Sequence, residues 1–243
     1  MKGIVLAGGS GSRMFPLTKV TNKHLLPVGK YPMVVHPIMK LKQAGIVEIQ
    51  VITGREHMGD MLELLGSGAS FGVEFTFRVQ DEAGGIAQAL SLAEHFAAGD
   101  NVCVILGDNI FSDPLEPHMS RYFSECGGNG AMVLLKEVPD PHRFGVAEIS
   151  AGKITSITEK PEEPKTNLAV TGIYFYDASV FQIIKTLKPS KRGELEITDV
   201  NNAFLNDQRL MFGILDGWSF RNALLTSVIS SSPRLLGLSV LII

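Results

Sequence analysis

Apolar residues along the 243-residue chain fall into two textures. In the first, short runs that are apolar throughout alternate with longer segments apolar at every third or fourth position. Gly3 to Ala7 is such a run and ends in glycines, as a buried parallel strand feeding a tight turn does. Residues 32–43 carry helical spacing and stop at Gly45. Residues 46–53 then predict a strand, 57–65 a helix, 73–79 an alternating strand, 86–96 a helix after Gly84-Gly85, and 101–106 a buried strand ending at Gly107-Asp108. This alternation implies right-handed crossovers and a parallel sheet.

After Gly130 the texture changes. Residues 131–137, 145–149, 154–159 and 170–176 predict strands separated by turn signals such as Asp140-Pro141, while 180–187 and 197–205 predict helices. The expected fold class is α/β, Rossmann-like, with a mixed, mostly parallel sheet flanked by helices. No internal repeat or low-complexity linker occurs, so residues 1–243 read as one domain.

Composition narrows the partners. Hydrophobic residues make up 45% and charged residues 19%, which suits a globular protein and not a disordered one. A net charge of −3 gives no general attraction for nucleic acid or for anionic lipid, so neither is an expected partner. An anionic ligand must be held by a few placed groups. Cys103 and Cys126 fit neither a zinc site nor a redox pair and read as reduced thiols of a cytoplasmic protein. The apolar run at the N-terminus is too short for a signal peptide, and no stretch of 18 apolar residues predicts a membrane span.

Leu6-Ala7-Gly8-Gly9-Ser10-Gly11-Ser12-Arg13 is the strongest local signal. Glycines let backbone N–H groups turn inward and approach phosphate oxygens closely. Arg13 supplies a forked cation, and Lys23 a second cation ten residues later. The Gly-Lys-Ser/Thr of a Walker loop is missing, and Met14 breaks the dinucleotide fingerprint G-x-G-x-x-G. The glycines alone fit a ligand-free turn equally well; the two cations favour phosphate.

A series of blocks extends this signal. G-I-V-L-A-G-G-S-G-S-R begins at Gly3, with P-L-T at Pro16 and K-H-L-L-P-V at Lys23. Q-D-E-A-G-G-I-A-Q-A follows at Gln80, L-G-D-N at Leu106, R-F-G-V-A-E at Arg143, E-K-P at Glu159, V-T-G-I-Y-F-Y-D at Val170 and G-E-L-E-I-T-D-V-N at Gly193. In this order, over residues 1 to 218, they resemble the nucleotidyltransferases that act on sugar 1-phosphates, and most of all the thymidylyltransferase branch. His24 stands where the family more often has Gln, and Phe144 where the branch usually has Tyr.

The resemblance implies a nucleotide-diphospho-sugar transferase fold, with a nucleotide-binding half at 1–130, a sugar-phosphate half at 131–218 and a divergent tail at 219–243. It implies a reaction of dTTP (or UTP) with glucose 1-phosphate, release of pyrophosphate, a Mg²⁺ cofactor and a homo-oligomer. The residues it would use for nucleotide are Leu6, Ala7, Gly8, Gly9, Gly11, Arg13, Gln80, Gly85 and Asp108. Asn109, Gly145, Glu159, Lys160, Val170, Thr171 and Gly172 would face the sugar phosphate. Arg13, Lys23, Asp108 and Lys160 would be the catalytic set, with Asp108 as metal ligand. Each has a plainer reading in isolation: a turn or helix-cap Asp108, a surface Gln80, a solvated Glu159-Lys160 pair, plain turns at Gly145 and Thr171-Gly172. His36, His57, His95, His118 and His142 show no ligand spacing.

The pattern breaks near the C-terminus. The family carries a second metal aspartate just after a tryptophan there. In this chain Trp218 is followed by Ser219-Phe220-Arg221-Asn222, and no carboxylate occurs from Ser219 to Ile243. A cation at Arg221 would repel Mg²⁺. The abrupt change of composition fits a shifted reading frame; a divergent tail packing as a C-terminal helix or strand is the alternative. Either way, substrate binding is expected to survive better than turnover.

Overall fold

The computed structural model describes residues 1–9, 11, 14–217 and 219–221, with the backbone alone at 220 and 221. Expectations for Arg13, Trp218 and the tail beyond Arg221 lie outside the described residues.

The strands are β1 (Lys2–Ala7), β2 (Pro27–Val28), β3 (Tyr31–Pro32), β4 (Glu48–Gly54), β5 (Glu74–Gln80), β6 (Val102–Leu106), β7 (Asn109–Phe111), β8 (Ala131–Glu137), β9 (Gly145–Ser150), β10 (Lys153–Glu159), β11 (Leu168–Tyr176), β12 (Leu210–Ile214) and β13 (Ser219–Arg221). The helices are α1 (Val35–Gln43), α2 (Met58–Leu65), α3 (Ile86–Ser91), α4 (Glu94–Ala97), α5 (Glu116–Cys126), α6 (Ser179–Thr186) and α7 (Ile197–Asn206). Nine strands form one mixed sheet that both halves of the chain share. Its main path runs β10-β9-β11-β6-β1-β4-β5, with β8 joining β11 to β12. β1, β4, β5 and β6 pair in parallel, whereas β11 runs antiparallel to β6, β8 and β9.

The all-apolar strands are explained by helices on both faces of the sheet. Ile4 and Leu6 of β1 join a layer with Ala87, Leu90, Phe181, Ile184, Val200 and Phe204. Their neighbours Val5 and Ala7 face a second layer with Ile38, Leu41, Met61, Leu65 and Tyr122. Successive side chains of a strand point to opposite faces, so burial on both faces demands apolar residues at every position.

Three differences from the sequence reading have physical causes. The expected helix over 86–96 is two shorter helices, α3 and α4, joined by a turn in which the Ala93 amide donates to the Leu90 carbonyl. The expected helix over 32–43 begins only at Val35, because Pro32 pairs with Pro27 in a two-strand ribbon. Helix α5 and strand β12 went unread. α5 has Pro117 in its first turn and Gly127 at its end, but Tyr122 is its one buried residue, so its apolar signal is sparse. β12 is mostly half-buried and lies at the sheet's edge on β8.

Candidate functional site

The parallel strands β1, β5 and β6 end on the same side of the sheet, where α/β folds place ligands. The glycine loop leaves β1 there. Gly9 and Gly11 have φ of +107° and +60°, in the left-handed region that favours glycine. The Ala7 carbonyl is held by Thr53 Oγ1 at 3.2 Å, and the Thr18 hydroxyl donates to the Gly11 carbonyl at 3.0 Å. A side chain at Gly8 would put its Cβ 2.5 Å from Oε1 of Gln80, so the missing Cβ is what lets Gln80 lie over the loop.

Lys23 and Asp108 meet across 85 residues of sequence. Their Nζ and Oδ2 are 2.7 Å apart, with both side chains nearly buried. A three-residue 3-10 turn at Lys23–Leu25 presents the lysine, and the end of β6 presents the aspartate. In this partly desolvated place removing either charge would leave the other nearly buried without this ion pair.

His24 underpins this pair. It is fully buried, and its backbone N–H and Nδ1 contact the Asn22 side-chain oxygen at 2.9 and 2.7 Å. Asn22 in turn donates to the Ala7 carbonyl at 3.5 Å. Burial first, then Lys23, pushes the imidazole down to about 3, with a smaller opposing pull from Asp108. The unfolded imidazole takes a proton near its usual 6.5, whereas the folded one does not until about 3. Stability therefore drains away as pH falls through that window. His24→Gln should flatten this part of the profile, measured as urea midpoint against pH; an unchanged slope would show that His24 does not carry it.

Gln80 closes the other side. Its Nε2 donates to Gln88 Oε1 at 2.7 Å and to the Gly85 carbonyl at 3.5 Å. Gly85 has φ +99°, and a Cβ there would lie 2.6 Å from the Leu195 carbonyl oxygen. The reason is docking: Leu195 N–H donates to Gly84 O at 2.8 Å and Ala87 N–H to Leu195 O at 3.2 Å. The G-E-L-E segment therefore packs against the glycine turn.

The second cluster lies beside it, in a cavity lined by Phe144, Gly145, Glu159, Lys160, Val170, Arg192, Glu194, Glu196 and Thr198 among others. Glu159 accepts from the Thr198 hydroxyl at 2.5 Å and pairs with Lys160 at 3.3 Å. Lys160 is a non-glycine residue at φ +42°, a backbone strain that its amide bond to the Phe144 carbonyl at 2.9 Å helps hold. Arg192 reaches Glu159, Glu194 and Glu196 at 3.5, 3.3 and 2.7 Å. Burial alone would raise the Glu196 carboxyl; hydrogen bonds from Arg192 and Ser190 outweigh it and hold it low. Arg192 is a site residue the sequence reading missed, its only signal being its place just before the G-E-L-E-I-T-D-V-N block, whereas Glu196 and Thr198 lie inside that block without a role assigned beyond structural support and possible packing on the sugar side.

Asn109 joins the two clusters. Its side-chain amide is buried and donates to the carbonyls of Thr171 and Gly172 at 2.6 and 3.0 Å. Those residues sit where the β11–β8 register shifts, between Val170 and Tyr174. Asn109 thus fixes the irregular stretch of β11 beside the cavity, and its amide is committed to backbone. Leu6, Ala7, Gly8, Gly9, Gly11, Lys23, Gln80, Gly85 and Asp108 form one connected rim, and Gly145, Glu159, Lys160 and Val170 line the cavity next to it.

The donor set suits a divalent cation shared with phosphates. Asp108 is a carboxylate at a strand end, and such an ion is held by one or two carboxylates plus substrate oxygens. Among the described residues no group of three or more His, Cys, Asp or Glu side chains forms an all-protein metal cage. Nor is any described helix long and apolar enough to cross a membrane.

Comparison with known proteins agrees with this geometry. Residues 2–219 match the family model described as nucleotidyl transferase. A glucose-1-phosphate thymidylyltransferase of Neisseria meningitidis is 45% identical over 216 residues, covering 88% of this chain and 75% of the relative. One from Mycobacterium tuberculosis is 43% identical over 217 residues, covering 88% and 74%. A solved Bacillus anthracis chain, assigned to glucose-1-phosphate thymidylyltransferase and bound to sucrose, superposes with TM-score 0.87 at 59% identity, covering 91% and 89%. A UDP-glucose pyrophosphorylase structure at 24% identity and TM-score 0.80, covering 91% and 92%, shares the fold. The chain belongs to the nucleotidyl transferase family.

Proposed function

We propose that the chain transfers a thymidylyl group from dTTP to α-D-glucose 1-phosphate, releasing pyrophosphate and dTDP-glucose. One observation carries this: the glycine loop after β1, Gln80 at the end of β5 and the Lys23–Asp108 pair after β6 share the carboxyl edge of the parallel strands, and the Glu194-Leu195 segment of the Arg192 cluster docks on Gly84-Gly85. On this reading the glycine loop takes the triphosphate and the cavity beside Lys160 takes the sugar phosphate. Relatives at 43 and 45% identity carry the matching name.

The sugar phosphate oxygen attacks the α-phosphorus, and pyrophosphate leaves from the opposite side. No protein nucleophile is needed, so the protein aligns the substrates and neutralises charge. Loop amides, with Arg13 and Lys23, hold the triphosphate. The Gln80 amide and the Gly85 backbone read the pyrimidine edge, since an amide both donates and accepts. Lys160 and Arg192 hold the sugar phosphate, and Glu159 accepts from sugar hydroxyls. Asp108 would hold a Mg²⁺ together with phosphate oxygens, and the ion would stabilise the charge that develops there.

A second reading, substrate binding with impaired turnover, is favoured by one feature. β13 pairs antiparallel with β7 and puts the Arg221 backbone opposite Asn109, next to Asp108. On this reading a cation at residue 221, in place of a second carboxylate, would weaken the hold on a metal.

Pyrophosphate release with Mg²⁺, glucose 1-phosphate and either dTTP or UTP tests both. The proposal predicts release with dTTP exceeding that with UTP. dTTP binding without release selects the second reading, and neither binding nor release overturns both.

A further inference from the structure

β13 reaches the site through a turn at residues 215–217 that is gripped by side chains of opposite charge. The Asp113 carboxylate accepts from two successive backbone amides. Its Oδ1 lies 3.0 Å from the Asp216 amide and 3.0 Å from that of Gly217, and its Oδ2 lies 3.1 Å from the latter. The Lys136 ammonium donates to two successive carbonyls of the same turn, Leu215 at 2.9 Å and Asp216 at 3.1 Å. The anion thus takes the turn's N–H groups and the cation takes its C=O groups. Four of the turn's backbone polar groups are held by charge-assisted bonds.

The grips stand on rigid elements. Lys136 is on β8, next to Leu135, whose carbonyl also receives the Leu215 amide at 2.8 Å. Asp113 lies two residues beyond β7, and Lys40 of α1 donates to the carbonyls of Ser112 and Asp113 at 2.8 and 2.9 Å. Space at the turn is as restricted as its bonding. A Cβ on Gly217 would fall 2.5 Å from Asp113 Oδ2 and closer still to Ser112 Oγ.

The position of the grip matters. β13 pairs with β7 as Ser219 with Phe111 and Arg221 with Asn109. Continuing that register two residues outward brings Gly217 opposite Asp113, the pair already joined by hydrogen bonds. The clamp therefore anchors the chain two residues before the first described rung of a ladder whose last described rung adjoins Asp108. A strand's register decides which residue each position presents, and a slip of one residue exchanges faces.

We infer that Asp113 and Lys136 are positioning residues. They set the register of the returning strand, and so decide which residue of the C-terminal segment stands beside Asp108. Neither touches the cavity around Glu159 and Lys160 through its clamp bonds. The inference rests on Asp108 as the centre of the site, but its first readout does not depend on catalysis.

Hydrogen–deuterium exchange on the full chain supplies that readout. Asp113→Ala and Lys136→Met should each speed exchange of amides in residues 219–221 about tenfold, the signature of local opening, with residues 102–106 unchanged. Asp113→Asn keeps an oxygen that can accept both amides and should recover most of the protection. Glu94→Ala, which deletes an exposed ion pair with Lys185 far from the turn, should leave both segments unchanged. In turnover, adding Asp113→Ala to an Arg221→Asp chain should lower kcat about tenfold while the KM for dTTP stays within about twofold, because misplacing residue 221 spares the nucleotide grip. Unchanged exchange at 219–221 in both clamp variants overturns the inference. So does a kcat unaltered by adding Asp113→Ala to the Arg221→Asp chain when exchange has accelerated. If no variant, nor the parent, turns over dTTP, the proposed reaction fails while the exchange result still judges the clamp.

Discussion

Asp108→Asn should lower kcat for pyrophosphate release by about a thousandfold, because on the proposed mechanism it removes a charge-stabilising group from the reacting phosphates. The substitution keeps the shape of the side chain and an oxygen that can accept from Lys23, 2.7 Å away in the parent. The fold should therefore survive, with a melting temperature only a few degrees lower, on the order of a 1–2 kcal/mol loss. Asp108→Ala is the harsher variant, because it leaves the nearly buried Lys23 ammonium without that partner. dTTP binding should persist in the Asn variant, since the loop amides and Gln80 are untouched. A kcat within about tenfold of the parent would remove Asp108 from the reaction.

Arg221→Asp should have the second largest effect, and in the opposite direction. The antiparallel ladder places residue 221 opposite Asn109, one position from Asp108. On the reading of impaired turnover, a carboxylate in place of the cation would favour a divalent ion and supply an oxygen donor. Turnover should rise by about a hundredfold. Mn²⁺ used as a spectroscopic probe should also bind more tightly, which separates the effect on the ion from the effect on chemistry. If neither changes, residue 221 does not address the metal and the idea of impaired turnover loses its basis.

What the sequence disclosed, and what it did not, follows from the range of the interactions. β1, β6 and β8 were legible because helices cover both faces and force unbroken apolar runs. The glycine loop was legible because its demand for left-handed backbone is local, as at Gly9 and Gly11. Asp108 could be placed at a strand end from the five apolar residues before it. Its pairing with Lys23 could not, because 85 residues separate them.

The same holds for the second cluster. Gly85 is a glycine because Leu195 docks on it, a contact that no local pattern announces. Arg192 belongs to no motif; the three carboxylates around it come from β10 and from the G-E-L-E segment that leads into α7. Asn109 was expected to face the sugar, yet its amide is spent on the carbonyls of Thr171 and Gly172. Motif spacing shows that such a residue belongs to the site. It does not show whether the side chain meets the ligand or holds the wall behind it.

Calorimetric titration of the folded protein with dTTP tests the central claim most directly, because the whole arrangement depends on the turn after β1 gripping a triphosphate. The account predicts saturable, roughly one-to-one uptake in the micromolar range, about −8 kcal/mol, weakened when Gly8→Ala forces a Cβ against Gln80. Absence of heat with dTTP and with UTP, from protein whose melting transition is intact, would contradict it.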